Sequence, residues 1–298
     1  MNRAYDSHCH LDYEALRADL VGAGERARRA GVERVLVPGV DPAQWARAEA
    51  LQSSQLELRF AVGLHPQVLH ERSATERALD AMPEWIARLG AVAIGELGWD
   101  AIHARERGVA LEDALAEQSR VAGAQLELAR ARGLPVIVHV VGAHALALEQ
   151  LARHAPLRGV VHSYSGSAEL VARSVALGVS ISVGPSVTRS RAKKPLLAAR
   201  AVPDAHLLVE TDAPEQRVEQ AEGASEGGRA AGADRAEGAN RPERREARQA
   251  DQYPEGKPSR RGEVADVLDV IAAVARARGA STGTVSKLTF DNAARLFT

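Results

Sequence analysis

The chain has 298 residues, of which 45% are hydrophobic and only 3% aromatic, so its core must consist mainly of Ala, Leu, Val and Ile. The formal net charge of −1 excludes a global positive field that attracts nucleic acid, and the single cysteine excludes an intrachain disulfide. The length suits one α/β barrel or two smaller domains. We expect a cytoplasmic protein, because no apolar run approaches the length of a membrane helix and the first eleven residues contain no apolar signal-peptide core.

Short β-rich runs alternate along the chain with longer Ala-, Leu- and Arg-rich stretches of helical period. This alternation is typical of βα units around a parallel sheet, and eight predicted strands favour an α/β fold of the TIM (β/α)8 barrel type. The predicted strands are 4–10, 34–39, 56–64, 92–97, 135–140, 159–162, 179–183 and 206–210. The predicted helices are 13–30, 42–51, 75–89, 111–132, 144–154, 168–177, 195–201 and 263–278.

One segment departs from this alternation. Residues 215–261 contain no Leu, Ile, Met, Phe or Trp and carry ten acidic and ten basic residues. Because such a segment cannot bury enough apolar surface to offset its ordering entropy, we expect a disordered or loosely helical insertion within one barrel domain that spans 1–298. The alternative interpretation is a basic arm, since 241–261 holds seven cations against four anions.

A His-x-His pair, His8 and His10, lies in the first predicted strand. Because successive strand side chains alternate between faces, both imidazoles are expected on one face about 6.6 Å apart along the strand, a spacing that suits a shared metal ion. Asp6 shares this face and is a candidate acceptor for an imidazole N–H. Further ligand-type side chains recur at the ends of predicted apolar runs, where a barrel gathers its functional groups. They are Glu96, His139, His162 and Asp212.

Four histidines and two carboxylates can hold two divalent ions only if one group bridges them. None of the chain's four lysines lies at the end of a predicted strand, so a carboxylated lysine is excluded and Glu96 is the best-placed bridging group. Mixed nitrogen and oxygen ligation is compatible with Zn²⁺, Mn²⁺ or Mg²⁺. Two such ions lower the pKa of a shared water and clamp the attacking and leaving oxygens. The predicted reaction is therefore hydrolysis of an ester, most naturally a phosphodiester.

Seven ordered segments carry a resemblance to a known family. The sequence closely resembles the signature blocks of TatD-type metal-dependent hydrolases at 6–12 (DSHCHLD), 62–66 (VGLHP), 94–100 (IGELGWD), 135–139 (PVIVH), 162–166 (HSYSG), 210–214 (ETDAP) and 291–297 (DNAARLF). The resemblance covers the chain apart from the insertion. It implies an amidohydrolase-like TIM barrel, a divalent-metal site and deoxyribonuclease activity, typically 3′-to-5′ exonucleolytic, with single-stranded DNA or DNA 3′ ends as substrate.

The resemblance also implies roles for individual residues. Asp212 orients or deprotonates the nucleophilic water, Glu96 is the second candidate catalytic residue, and His65 lies near the substrate phosphate. The implied ligands are His8, His10, Glu96 and Asp212 for one ion, and Glu96, His139 and His162 for the other.

The sequence departs from the family pattern at three places. Val140 and Val141 follow His139 where the family usually has Ser-Arg, the tyrosine common after the Gly-Leu-Asp element is absent, and the insertion replaces an Arg and an Asn-Glu-Pro element after 212–214. Two alternatives therefore stay open: hydrolysis of a small ester, lactone or amide on the same scaffold, and a catalytically weak metal-binding interaction protein. Retention of all six ligand-type side chains argues against the second. We expect no membrane partner and favour a monomer.

Overall fold

The computed structural model describes residues 3–219 and 261–298. Eight parallel strands pair in chain order and form a nearly closed barrel with helices between them, which confirms the predicted TIM barrel. The strands are β1 (Ala4–Asp6), β2 (Val32–Val37), β3 (Glu57–Val62), β4 (Ala93–Asp100), β5 (Val136–Val141), β6 (Gly159–Val161), β7 (Val179–Val183) and β8 (Leu207–Val209).

The helices of the described residues agree with the prediction in most places. The predicted helix at 13–30 is divided into two, and two helices were not predicted, one after β4 and one at the end of the chain. The α-helices are α1 (Glu14–Arg17), α2 (Leu20–Ala30), α3 (Pro42–Glu49), α4 (Arg72–Leu89), α5 (Ala101–Glu106), α6 (Leu111–Arg132), α7 (His144–Arg153), α8 (Ala168–Ala176), α9 (Lys193–Ala201), α10 (Val267–Arg278) and α11 (Thr282–Leu296).

The barrel interior is closed at its amino end by α11. Tyr5 of β1 lies against Phe290 and Phe297, with ring centroids 6.1 and 6.2 Å apart, and one buried apolar residue from most other strands joins this cluster. Asn292 on α11 donates to the carbonyl of Leu207 at the start of β8, at 2.9 Å. Since this end is filled by aromatic and apolar side chains, the polar residues of the interior are left for the carboxyl ends of the strands.

The first strand is shorter than predicted, and this corrects the placement of the His-x-His pair. β1 ends at Asp6, so His8 and His10 follow the strand instead of lying within it. The reason is a change of hydrogen-bond partner: the Asp212 N–H donates to the carbonyl of His8 at 2.9 Å, and the His10 N–H donates to the carbonyl of Ala213 at 2.8 Å. These irregular bonds join the two ends of the sheet, and they bring the residues after β1 next to those after β8.

The described residues contain only the two ends of the predicted insertion, 215–219 and 261. The prediction of disorder concerns mainly 220–260, which lies outside the described residues. Where the structure describes the chain, no helix is both long enough and apolar enough to cross a membrane.

Candidate metal centre

His8 and His10 converge with two carboxylates in the mouth of the barrel. Their Nε2 atoms lie 3.2 and 3.4 Å from Oε1 of Glu96, and 3.6 and 3.5 Å from Oδ1 of Asp212. The two imidazole centroids are 5.2 Å apart, and both residues are buried. The arrangement has two nitrogens and two carboxylate oxygens, which is a suitable donor set for one divalent cation.

Glu96 lies between this group and a second one. It belongs to the interior of β4, four residues before the strand ends, and not to a strand end as the sequence predicted. Its other oxygen, Oε2, lies 2.9 Å from Nε2 of His162 and 3.7 Å from Nδ1 of His139. The two oxygens of one carboxylate therefore face two different histidine pairs, which is the geometry expected of a bridging group.

His139 and His162 come from neighbouring strands, β5 and the end of β6. Nδ1 of His139 lies 3.0 Å from Nε2 of His162, and the His162 ring stacks on that of His8 with centroids 4.1 Å apart and an interplanar angle of 7°. The structure thus brings together all six side chains that the sequence predicted as ligands.

Several buried nitrogen and oxygen atoms of this cluster have no hydrogen-bond partner among the described residues. Buried polar side-chain atoms are normally paired, so a concentration of unpaired atoms in one place calls for an explanation. A bound cation supplies one for the atoms that face each other across the cluster, such as His8 Nε2 and Glu96 Oε1, because it binds lone pairs that lack a hydrogen-bond donor. His139 Nε2 and His162 Nδ1 lie on the outer side of their rings, 3.5 Å from the carboxylates of Asp100 and Glu210. The unpaired atoms are His8 Nδ1 and Nε2, His10 Nδ1, Glu96 Oε1, His139 Nε2, His162 Nδ1 and Glu210 Oε2.

The charges of the cluster keep its carboxylates ionised. Burial alone raises the pKa of Glu96, but the adjacent imidazoles of His8 and His162 outweigh it and hold that pKa well below its usual range. Burial also raises the pKa of Asp212, whereas the hydrogen bond with His10 and the nearby His8 lower it to about 2. Both carboxylates are therefore available to bind a cation at neutral pH.

His65 also borders this cluster, but the ring nitrogen that faces Glu96 is a hydrogen-bond donor. Its Nδ1 accepts the backbone N–H of Gln67 at 3.2 Å, so the proton of a neutral ring is on Nε2, which lies 3.4 Å from Oε2 of Glu96. Burial, reinforced by the neighbouring His139, lowers the pKa of His65 to about 4, which keeps the ring neutral. A protonated Nε2 cannot bind a metal, and it suits a contact with an anionic oxygen.

Asp100 is a site residue that the sequence motif contained without indicating its role. Its Oδ2 lies 3.5 Å from Nε2 of His139 and accepts the amide of Gln67 at 2.7 Å. Its Oδ1 accepts the backbone N–H groups of Ile102 and His103, at 3.0 and 2.9 Å, and so caps α5. One carboxylate thus begins a helix and faces a proposed ligand.

Glu210 was missed by the sequence analysis as a functional residue. It is fully buried immediately after β8, its Oε1 lies 3.5 Å from Nδ1 of His162, and the same oxygen accepts the N–H of Ser163 at 2.5 Å. The available signal was its position at the end of a predicted strand, beside Thr211 and Asp212.

Gln216 is a second missed residue, because it belongs to the segment predicted as an insertion. Its amide nitrogen donates to Oδ2 of Asp212 at 2.9 Å and also to the hydroxyl of Ser163. Composition gives no signal for this contact, which depends on the chain folding back after Asp212.

Asp6 does not accept an imidazole N–H, contrary to the expectation from the sequence. Its carboxylate accepts the backbone N–H and the hydroxyl of Thr211, at 2.9 and 2.5 Å, and the backbone N–H of His8 at 3.3 Å. Asp6 therefore ties the end of β1 to the residues after β8. The consequence is that its influence on the site acts through the backbone that carries His8 and Asp212.

Proteins similar to this chain are named as metal-dependent hydrolases and deoxyribonucleases. The uncharacterized metal-dependent hydrolase YjjV of Escherichia coli K12 is 36% identical over 216 residues, which are 72% of this chain and 80% of that protein. Human deoxyribonuclease TATDN3 is 29% identical over 220 residues, 70% of this chain and 77% of the human protein. The barrel, its buried cluster and these relatives define a metal-dependent hydrolase.

The family follows from the match of the whole chain. The family model described as TatD related DNase matches residues 5–298, so the chain belongs to the TatD family. The crystal structure of YjjV superimposes with a TM-score of 0.76 at 28% identity, covering 99% of this chain and 98% of the other. A TatD family hydrolase from Entamoeba histolytica, with a TM-score of 0.75 at 17% identity over 100% and 99% of the two chains, shares the fold.

Proposed function

We propose that the protein is a deoxyribonuclease that hydrolyses phosphodiester bonds in single-stranded DNA or at DNA 3′ ends, in the 3′-to-5′ direction, with two divalent ions. The observation that carries this proposal is the position of Glu96, whose two oxygens face two separate histidine pairs. A cytoplasmic location and a monomeric state stay predictions from the sequence.

The residues present fit two divalent ions, Mg²⁺, Mn²⁺ or Zn²⁺. When bound, such ions supply a water of lowered pKa and positive charge against a phosphate. We assign His8, His10, Glu96 and Asp212 to the first ion, and Glu96, His139 and His162 to the second.

Two further side chains are assigned to the chemical step. Asp212 is ionised, and its Oδ1 faces His8 and His10, so it is the group suited to take the proton of the attacking water. His65 presents Nε2–H and stays neutral, so it is suited to donate a hydrogen bond to a non-bridging phosphate oxygen.

Hydrolysis of a small ester, lactone or amide is the second candidate function, and one observation favours it. Among the described residues, no Lys or Arg forms an ion pair with a carboxylate of the cluster. On β5, Val141 shares the face of His139 and is half-buried, so the strand offers an apolar side chain where a phosphate contact is expected. A substrate with one phosphate or none places less demand on such contacts.

The test is a comparison of substrates on one purified protein. Metal content is measured first, and cleavage of single-stranded DNA is then assayed with Mg²⁺, Mn²⁺, Co²⁺ and Zn²⁺, using oligonucleotides labelled at the 5′ end and either free or blocked at the 3′ end. We expect progressive shortening from a free 3′ end and none from a blocked one. Turnover of a phosphomonoester or a lactone in an Asp212-dependent way, without cleavage of DNA under any ion, would instead support the second candidate.

A further inference from the structure

The two histidines assigned to the second ion each have a carboxylate at the ring nitrogen that faces away from Glu96. For His139 the outer nitrogen is Nε2, which lies 3.5 Å from Oδ2 of Asp100. For His162 the outer nitrogen is Nδ1, which lies 3.5 Å from Oε1 of Glu210. The nitrogens that face Glu96, called the inner nitrogens, therefore differ: Nδ1 in His139 and Nε2 in His162. They are 3.0 Å apart.

The first histidine pair lacks this arrangement. In the described part of the chain, Glu96 and Asp212 are the only carboxylates within 4.0 Å of the ring nitrogens of His8 and His10. Both are assigned as ligands. The two halves of the site therefore differ in what orients their imidazoles. A substitution at Asp100 or Glu210 should consequently affect the two halves unequally.

Asp100 is held rigidly in its position. Its side chain accepts three hydrogen bonds, from the backbone N–H groups of Ile102 and His103 and from the amide of Gln67. The buried amide of Gln118 on α6 also pairs with the backbone N–H and carbonyl of Asp100, at 3.0 and 3.3 Å. A carboxylate with so little freedom can fix the orientation of the ring it contacts.

Glu210 is fixed by the backbone of the residue that follows His162. Ser163 has a left-handed backbone conformation, with φ of +42°, which is uncommon for a residue other than glycine, and its N–H donates to Oε1 of Glu210. Backbone strain of this kind persists when the surrounding structure over-determines it, and it occurs frequently at functional sites. Among the described residues, His162 is the only basic side chain whose nitrogen lies within 4.0 Å of a Glu210 oxygen, and Glu210 Oε2 has no hydrogen-bond partner there.

We propose that Asp100 and Glu210 are positioning residues that accept the Nε2–H of His139 and the Nδ1–H of His162, and thereby present Nδ1 of the first ring and Nε2 of the second to a divalent cation. This inference rests on the proposed two-ion site but not on the identity of the substrate. A hydrogen bond from the outer nitrogen fixes the tautomer and orientation of a ligating imidazole, and loss of such a partner typically lowers metal affinity 10- to 100-fold.

The first experiment is a metal titration of the metal-free protein by calorimetry, with Mn²⁺ and Zn²⁺ as probes. In Asp100→Asn and in Glu210→Gln, we expect one of two binding events to weaken by about 10- to 100-fold while the other changes less than about threefold. Asp266→Asn is the matched control, because Asp266 is also a buried carboxylate and its Oδ2 accepts the backbone N–H of Glu263 away from the cluster. Unchanged affinity for both ions in both variants, or an equal loss at both sites, would overturn the proposal.

The second experiment needs no variant and so does not depend on variant folding. The ring nitrogens of His139 and His162 are observed by ¹⁵N NMR in the Zn²⁺-loaded wild-type protein. We expect a protonated Nε2 in His139 and a protonated Nδ1 in His162, and the opposite tautomer in either ring would contradict the proposal. Failure of the proposed function gives a different result. If these tautomers are observed but the protein cleaves no DNA, the positioning roles are supported and the proposed nuclease activity is refuted.

Discussion

Asp212 has a left-handed backbone conformation, with φ of +50°, and its two carboxylate oxygens have different surroundings. Oδ1 faces His8 and His10, whereas Oδ2 accepts the amide of Gln216. Asparagine adopts left-handed conformations more readily than most residues, so Asp212→Asn changes the charge without opposing the backbone. The substitution therefore separates chemistry from folding at this position.

We predict that Asp212→Asn lowers kcat by about 10²- to 10⁴-fold, because an amide cannot take a proton from water. The melting temperature and at least one bound ion should be retained, as measured by circular dichroism and metal analysis. Asp100→Asn is expected to be milder at saturating metal, since Asp100 contacts His139 and not the reacting atoms. Equal losses of kcat in the two variants would show that Asp212 has no special role in the chemical step.

Gln216 provides a second prediction at the residue scale. In Gln216→Leu the carboxylate of Asp212 loses the donor that fixes its Oδ2, so its orientation is less restricted and kcat should fall. Gln52→Leu, at an exposed glutamine, is the matched control. An unchanged kcat in Gln216→Leu would show that the contact does not position Asp212.

At the scale of elements, helix α6 supports two strand ends through buried glutamines. Gln125 accepts the backbone N–H of Leu64 at 2.8 Å and donates to its carbonyl at 3.1 Å, and Gln118 pairs in the same way with Asp100 seven residues earlier on the helix. Each side-chain amide thus pairs with the backbone as a neighbouring strand would. The same helix therefore holds Asp100 and also Leu64, the residue before His65.

We predict that Gln125→Leu destabilises the protein by about 2 to 4 kcal/mol, because it leaves two buried backbone groups of Leu64 unpaired. Urea unfolding measures this loss directly. Activity at a temperature where the variant is folded should also fall, since Leu64 precedes His65. A destabilisation below about 1 kcal/mol would indicate that water replaces the glutamine amide.

The elements also show what the sequence could predict. Strand positions follow from apolar runs, and they were found nearly in place. The end of β1 was wrong because the apolar alternation continues through Cys9 and Leu11, while the backbone of His8 and His10 bonds to the residues after β8. Glu96 was placed at a strand end because the apolar run ends there, yet β4 continues to Asp100 through Gly98, which has φ of +142°.

The candidate site divides in a similar way. The convergence of the six ligand-type side chains was predictable because histidines and carboxylates that recur after apolar runs have few structural explanations. The contacts of Glu210 and Gln216 were not, because each involves Ser163, which is distant in sequence. Helix α11 was also missed, since its first turn contains Thr282, Gly283 and Thr284, which are weak helix formers.

Strand alternation leads to a prediction about substrate binding. Val141 lies two residues after His139 on β5, on the same face, so Val141→Arg directs a guanidinium toward the mouth of the barrel. If the nuclease proposal is correct, KM for single-stranded DNA should fall by about 10-fold or more, since a charge-assisted contact contributes about 1.5 to 3 kcal/mol. Val141→Gln, which is polar but uncharged, should have a smaller effect. A lower KM in both variants alike would point to polarity and not to a phosphate contact.

At the scale of the whole molecule, the ends of the predicted insertion are integrated into the barrel. Gly262 packs against the backbone carbonyl of Gln216, so the chain leaves and re-enters the described structure at neighbouring points. Glu219 accepts the N–H and hydroxyl of Ser190, at 2.5 and 3.2 Å, and its own N–H donates to Thr188 at 2.9 Å. Contacts with the barrel therefore extend to Glu219, inside the segment predicted as an insertion.

Because 215–219 contact the barrel, two deletions that look equivalent by composition should have different effects. Removing 220–260 and joining Glu219 to Arg261 through a short Gly/Ser linker should change the melting temperature by no more than a few degrees, because the deleted residues contain no Leu, Ile, Met, Phe or Trp and closure entropy depends only weakly on the length of the connection. Removing 215–260 should additionally lower kcat, because Gln216 no longer donates to Asp212. Thermal unfolding and initial rates on the two deletions measure these effects. A large fall in melting temperature with the shorter deletion would mean that 220–260 stabilises the barrel, and equal rates in both would mean that Gln216 is dispensable.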